Sequence, residues 1–421
     1  MTTAPPPPGS RTFAALGVRN YRWYFGGQAV SLAGTWMQAV ALSWLALELS
    51  GSGSVVGAVL AAQYLPVLLL GAYGGVLADR LDKRRLLLVA QAVHGSLSLV
   101  LGVLALTGAV ELWMVFAIAA ALGVVVSVEM PARQSFVMEM VGPAHVGNAV
   151  SLNSILVNAT RAVGPALAGL LIAGFGVGVC FVLNGVSFAG VLFALLVMRT
   201  DELHPAPPLA RGKGQLRDGL RYVRRTPELG VPLVMMAVVG TFAYEFPVVL
   251  PLLAHESLGG GAQTFGLLTS AMGVGAVVGG LVIASRRRTG ARALSTAAVG
   301  FGVAIALVAI APGLATALVA MLFVGAGSVS FMSTGNTTLQ LGADPAFRGR
   351  VMALWAVTFQ GSTPIGAPII GAISEGTGPR VGLAVGAASC LLAAAIGTLR
   401  AGARGSSAPV PSEDPRSALA G

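Results

Sequence analysis

Residues 74–88 read GGVLADRLDKRRLLL, with Asp79, Arg80, Asp82, Lys83, Arg84 and Arg85 crowded between two long apolar runs. The chain has 421 residues, only 10% of them charged, and a mean hydropathy of +0.81, so such a cluster marks a boundary. Soluble domains carry about 25% charged residues; this chain has too little polar surface to cover itself in water. A hydrocarbon core of about 30 Å takes roughly 20 residues of helix. Working outward from the cluster, twelve runs of that size bounded by charge can be placed, at about 23–48, 54–78, 86–108, 112–131, 147–174, 177–199, 229–254, 263–285, 293–311, 314–339, 350–374 and 379–400. They are continuous rather than alternating ten-residue strands, and lipid admits only helices or closed barrels. The fold class is therefore an all-α polytopic membrane protein of twelve transmembrane helices. Its 57 glycines fit close helix packing in lipid. Cys180 and Cys390 both sit in apolar runs, so neither a disulfide framework nor a metal cluster is indicated.

A net charge of +10 is compatible with nucleic-acid binding, but its distribution points to a membrane. Of the 26 Lys and Arg residues, 24 fall in the tails and in alternate loops. These include Arg11, Arg19 and Arg22, the cluster itself, Arg133, the stretch after the sixth run with Arg211 and Lys213, Arg286, Arg287 and Arg288, Arg348 and Arg350, and Arg400, Arg404 and Arg416. Only Arg380 falls on the opposite side, and Arg161 lies inside a run. By the positive-inside rule both termini are cytoplasmic, in the cell membrane. The opening MTTAPPPPGSRTFAALGVRNYRW lacks a signal-peptide pattern and reads as a cytosolic tail.

The domain organisation expected is a tail at 1–22, a six-helix bundle at 23–199, a linker at 200–228, a second six-helix bundle at 229–400 and a tail at 401–421. The linker begins Pro-rich and ends as a basic amphipathic stretch suited to an anionic inner leaflet. An internal repeat supports the division. Residues 143–171 align without gaps on residues 345–373, pairing Pro143 with Pro345, Gly147 with Gly349, Gly164 with Gly366 and Gly169 with Gly371. Two parallel halves point to a duplicated transporter fold with a site between them.

At this point the chain resembles the major facilitator superfamily. Gly75, Asp79, Arg80, Lys83, Arg84 and Arg85 follow the order of that superfamily's loop between helices 2 and 3, with Asp82 standing where the family usually has glycine. RAVGPALAGLL resembles the Gly-Pro element of helix 5 in the exporting branches, through Gly164, Pro165 and Gly169. EMPARQSFVMEMVGP and PAFRGRVMAL resemble the branch of the enterobactin exporter and related drug exporters. The resemblance implies export by proton-coupled alternating access. It also places Asp79 against the N-terminus of helix 11, near Gly349, and against the basic residue after helix 4, Arg133. Such a cytoplasmic latch would join the halves in one state and part in the other; a purely topogenic loop is the alternative. Glu129, at the end of helix 4 and close to Arg133, is either a further gate charge or a solvated helix-end carboxylate.

Two ionisable residues lie well inside runs. Arg161 is placed roughly 21 Å along its helix, near the midplane, where a charge costs at least about 2.5 kcal/mol and needs a partner. It is a candidate substrate or coupling cation, a charge that switches partners between conformations, or a structural Arg held by carbonyls at a helix bend. Glu245, in VVGTFAYEFPVVLPLL, is the clearest intramembrane carboxylate. Burial disfavours its charged form, which suits a proton carrier, and a structural Glu is the alternative. Gln38, Gln63, Asn153, Asn158, Asn184, Asn336 and Gln340 are polar positions in or near spans, Trp36, Trp44, Tyr64, Phe242 and Tyr244 are candidate aromatic walls, and His94 reads as a packed histidine, with a proton relay as the alternative.

Rival classes lack their marks. There is no G-x-x-x-x-G-K-[ST] for a nucleotide-driven pump and no HExxH for a membrane metalloprotease. The expected function is a non-enzymatic secondary transporter exporting a small amphipathic compound, of the drug or siderophore class, as a proton antiporter. Its expected partners are that compound, protons and lipid, with no nucleic acid and no cofactor or metal, and the expected state is a monomer. Uptake on the same fold, or a non-transporting receptor or scaffold, is the alternative.

Overall fold

A computed structural model describes residues 13–204, 215–284, 289–345 and 347–405. The Pro-rich start with Arg11, the first part of the linker with Arg211 and Lys213, and Arg286, Arg287, Arg288 and Arg416 lie outside the described residues. The described residues are predominantly helical and contain no strand.

The N-terminal half opens with α1 (Arg19–Ser50), α2 (Gly53–Arg80) and α3 (Lys83–Leu106). Asp82 ends the turn between α2 and α3 by accepting a hydrogen bond from the Arg85 backbone N–H at 2.7 Å, capping α3. Its φ is −58°, so the turn makes no demand for glycine there. The next helix, α4 (Leu112–Phe175), has 64 residues. At 1.5 Å per residue that is about 96 Å, far too long for one crossing. The chain reverses at Gly142, whose φ of 65° ends one helix in the left-handed conformation, and Pro143 starts the next, where its missing N–H costs nothing. Residues 132–146, expected as a loop, are helix on both sides of this elbow. α5 (Val177–Leu196) completes six spans.

The linker ends in α6 (Gln215–Arg225), which is docked rather than merely lying on lipid. The Tyr222 ring stacks on Phe347 at 4.4 Å, its hydroxyl accepts from the Asp344 N–H at 3.1 Å, and Val223 is buried.

The second half has a broken seventh span, α7 (Pro227–Phe242) and α8 (Phe246–Leu252), continued by a π-helical turn (Leu253–Ser257). Pro247 in the first turn of α8 removes an intrahelical donor, and Ala243–Glu245 is non-helical. α9 (Ala262–Ala284), α10 (Ala291–Ala309) and α11 (Leu314–Gly342) follow. The eleventh span is broken in the same way, between α12 (Arg348–Gln360) and α13 (Thr363–Thr377), with Pro364 in the first turn of α13. α14 (Pro379–Gly405) ends the described chain. Ten helical stretches are long and apolar enough to cross a membrane. Dividing α4 at Gly142 and joining α12 to α13 makes twelve spans, in two six-helix halves.

Helices in lipid gain little from hiding apolar surface and associate by close packing of small residues and by interhelical hydrogen bonds. Both are present. A Cβ on Gly57 would run into the Ala367 carbonyl, one on Gly371 into the Gly53 carbonyl, and one on Gly273 would stand 2.8 Å from the Arg161 carbonyl. These approaches, with Gly169 on Gln263, join the two halves from the level of Arg161 to the end farthest from the basic loops. At that end the Glu375 carboxylate of α13 accepts from Ser52 Oγ at 2.7 Å and from the Ser54 N–H at 3.0 Å, both of the first half.

Candidate functional site

The broken spans meet where the halves do. Tyr244, in the break of the seventh span, donates its hydroxyl to the Ser328 carbonyl at 2.8 Å and holds Phe359 edge-on at 5.2 Å. Arg161 faces it from the fifth span, its guanidinium carbon 5.5 Å from the centre of the Trp36 ring. Arg161, Tyr244, Ser328, Met332, Asn336 and Phe359 are among the residues lining a cavity of about 210 Å³. It runs along α11 from mid-span toward the basic end of the bundle.

The Gly-Pro element of the fifth span builds this wall. A Cβ on Gly164 would stand 2.6 Å from Trp36 Cβ and 2.8 Å from the Ala33 carbonyl, so glycine lets the fifth span lie directly on α1 and sets Trp36 under Arg161. The Pro165 carbonyl faces Gly266, and Gly169 packs on Gln263, both of α9 in the other half. Arg161 thus has an aromatic face as its partner. No carboxylate lies within 4.0 Å of its guanidinium among the described residues, and its Nε is buried without a hydrogen-bond partner.

Glu245 is 2% exposed. Its carboxylate is hydrogen-bonded by Thr363, the first residue of α13, and one oxygen, Oε1, is buried with no hydrogen-bond partner. Gly366, the repeat partner of Gly164, makes room for it, because a Cβ there would strike the Thr241 carbonyl and approach Glu245 Oε1. The carboxyl thus sits out of solvent, beside the first turn of α13. Glu245 lies inside the seventh span, at the break before Pro247 rather than in continuous helix. Tyr64 lies within electrostatic reach of both Arg161 and Glu245.

The gate residues lie at the basic end and are dispersed. Lys83 pairs with Glu139 at 2.6 Å. Arg84 donates to the Leu195 carbonyl at 2.6 Å and the Leu196 carbonyl at 3.2 Å, a cation on the C-terminus of α5. Gly75 is buried, Asp79 is half-buried and Arg80 is exposed. The tight approach of α2 to the fourth span is made by Gly74, whose Cβ would strike the Ser127 carbonyl. Between α2 and the eleventh span, Leu68 stands against Gly361, eleven positions from Asp79, or about 16 Å along the helix.

Glu129 and Arg133 are also placed differently from the sequence reading. Neither is at a helix end; the helix continues past both, and Glu129 is buried against His94 and Gln91, with Arg133 at 3.7 Å. Gln38, Asn184 and Ser98 form a separate buried hydrogen-bonded group, and Gln340 donates to Asn336 at 2.6 Å beside the cavity. Trp44 contacts His255 at the far end rather than the site. Ser328, Met332, Phe359 and Thr363 were missed, since nothing local distinguishes them from other span residues.

The model of a family described as transmembrane secretion effector matches residues 10–415. The staphyloferrin A transporter of Staphylococcus aureus is 24% identical over 62% of this chain and 66% of its own length. The alignment thus spans just under two thirds of that relative. The multidrug efflux pump Tap of Mycolicibacterium fortuitum is 27% identical over 82% of this chain and 87% of its own. The enterobactin exporter EntS of Shigella flexneri is 28% identical over 71% and 72%. Among solved structures, the nucleoside transporter NupG superposes with a TM-score of 0.75 at 12% identity, covering 91% of this chain and 99% of that one, a likeness of fold. With the family model matching nearly end to end, this chain belongs to the transmembrane secretion effector family of the major facilitator superfamily.

Proposed function

We propose that this chain is a secondary transporter that exports a small amphipathic compound across the cell membrane in exchange for protons, by alternating access, with both termini in the cytoplasm. The observation that carries the reading is the cavity at the junction of the halves, where Arg161 on Trp36 faces Tyr244 and Phe359. It offers one cation and an aromatic wall, which suits a ligand with a flat apolar part and a polar or anionic end. At about 210 Å³ it would take the recognised end of such a compound rather than the whole. Relatives that export a siderophore or pump drugs support the direction and the class, and the Lys and Arg distribution supports the orientation.

In this arrangement the halves are packed at the end carrying Ser52 and Glu375, and the cavity leads toward the basic end. This is one end-state, open to the cytoplasm. The other state would close the basic end, bringing Asp79 to the N-terminus of α12, where a carboxylate gains about 0.3–1 kcal/mol. Glu245, buried beside Thr363 at the junction of two broken spans, would take a proton in one state and release it in the other. Glu245→Gln in membrane vesicles is the test. Export driven by a pH gradient should be lost while a bound fluorescent substrate still titrates; unchanged gradient-driven export would exclude Glu245 as the coupling site.

A further inference from the structure

A second set of buried ionisable side chains lies inside the N-terminal half, and none of it lines the central cavity. Glu129, 6% exposed, accepts from Gln91 Nε2 at 3.0 Å and stands 3.4 Å from His94 Nδ1. His94, also 6% exposed, lies against the Phe188 ring at 4.5 Å. The groups facing Glu129 come from each packed helix. They are Tyr24 of α1, hydrogen-bonded by Gln28 at 3.0 Å; Gln91 and His94 of α3; and Arg133 one turn along its own helix. α2 approaches nearby through Gly74 at Ser127.

A carboxylate and an imidazole in contact within a membrane bundle can share one proton, and histidine is the side chain that changes charge nearest neutral pH. Two features separate this pair from a simple structural ion pair. The network lacks a donor, because Gln91 Oε1 is buried with no hydrogen-bond partner. It also reaches solvent at one end only, where the Arg133 side chain is 29% exposed, toward the basic end. In the other direction lies a further polar group. Ser98 Oγ, with one proton to give, is 3.0 Å from the His94 carbonyl and 2.7 Å from Gln38 Oε1, which also accepts from Asn184 at 2.6 Å.

We propose that Glu129 and His94 form a proton-binding site in the N-terminal half, distinct from the substrate cavity and from Glu245. The inference rests on the reading that transport is proton-coupled. With the proton bound, the imidazolium donates to Glu129. On its loss, His94 is neutral and Arg133 is the remaining cation of the group, so occupancy sets how tightly the fourth span is tied to α1 and α3. Each turnover would then move a proton through each half.

Two measurements test it. In the first, infrared difference spectra of the purified full chain are taken between about pH 5 and 8, the range in which histidine sites change charge. They should contain carboxyl and imidazole bands that disappear in Glu129→Gln and His94→Gln and remain in Glu245→Gln. If the two N-terminal variants give the wild-type spectrum, the pair does not titrate and the proposal falls. In the second, the ratio of proton flux to substrate flux in vesicles should drop in both variants and recover in Glu129→Asp, a readout that a loss of folded protein does not move. An unchanged ratio overturns the coupling role. A wild type with no proton flux at all would refute the antiport reading itself, and the spectra would still decide the site.

Discussion

Gly164→Ala tests whether the fifth span lies directly on α1. The added Cβ would stand 2.6 Å from Trp36 Cβ and 2.8 Å from the Ala33 carbonyl, where ordinary contact begins at 3.4 Å. The two helices must part by about 0.8 Å at this point, or Trp36 must leave its place under Arg161. Overpacking of this kind costs about 1–3 kcal/mol, while replacing a mid-helix glycine gains about 1 kcal/mol in helix propensity. The net expectation is a loss of up to about 2 kcal/mol. Because Trp36 moves, the cation–π contact of about 0.5–2 kcal/mol at Arg161 weakens too, so substrate affinity falls together with thermal stability in detergent. The control is Gly147→Ala, also helical, where a Cβ meets nothing within 4 Å and stability should hold or rise. A Gly164→Ala protein as stable as wild type, with unchanged substrate affinity, would refute the close approach.

Other substitutions probe the ends of the bundle. Gly142→Ala places a side chain at φ 65°, ψ 172°, a region essentially reserved for glycine where strain costs about 1–3 kcal/mol, and thermal denaturation should begin earlier. Asp79→Asn should insert and fold normally but turn over slowly, and normal transport would remove the latch. Glu375 is held below the usual carboxylate range by hydrogen bonds from Ser54 and Ser52. Its contribution to closing the far end is therefore present above the ordinary carboxylate pKa and is lost as pH falls through the lowered value. Spin labels at Ser50 and Gly376 should report a wider far end in Glu375→Ala at neutral pH and in wild type only in acid.

The spans were legible because the hydrocarbon core imposes a length that shows in any window of the sequence, and Arg161 stood out because a charge at that depth has no bland neighbours. The Gly-Pro element was visible as a pattern, but what it touches was not: Gly164 meets Trp36 across 128 positions and Gly169 meets Gln263 across the two halves. The stretch 132–146 looked like a loop because Pro131, Arg133, Glu139 and Pro143 punctuate it, yet the helix tolerates Pro131 and turns only at Gly142. The break at Glu245 had its signal in the following Pro247. The pairing of Glu129 with His94, 35 positions away, and of Ser52 with Glu375, 323 positions away, had no local trace. A buried polar residue in a span announces that it has a partner, and only packing says which.

The most direct measurement is substrate movement in inverted membrane vesicles with and without an imposed pH gradient, acid inside, using candidate drugs and siderophores. Proton-driven export requires accumulation inside those vesicles, its loss when the gradient is collapsed, and its absence in Arg161→Gln. Accumulation that ignores the gradient, or net movement out of inverted vesicles, would contradict proton-coupled export.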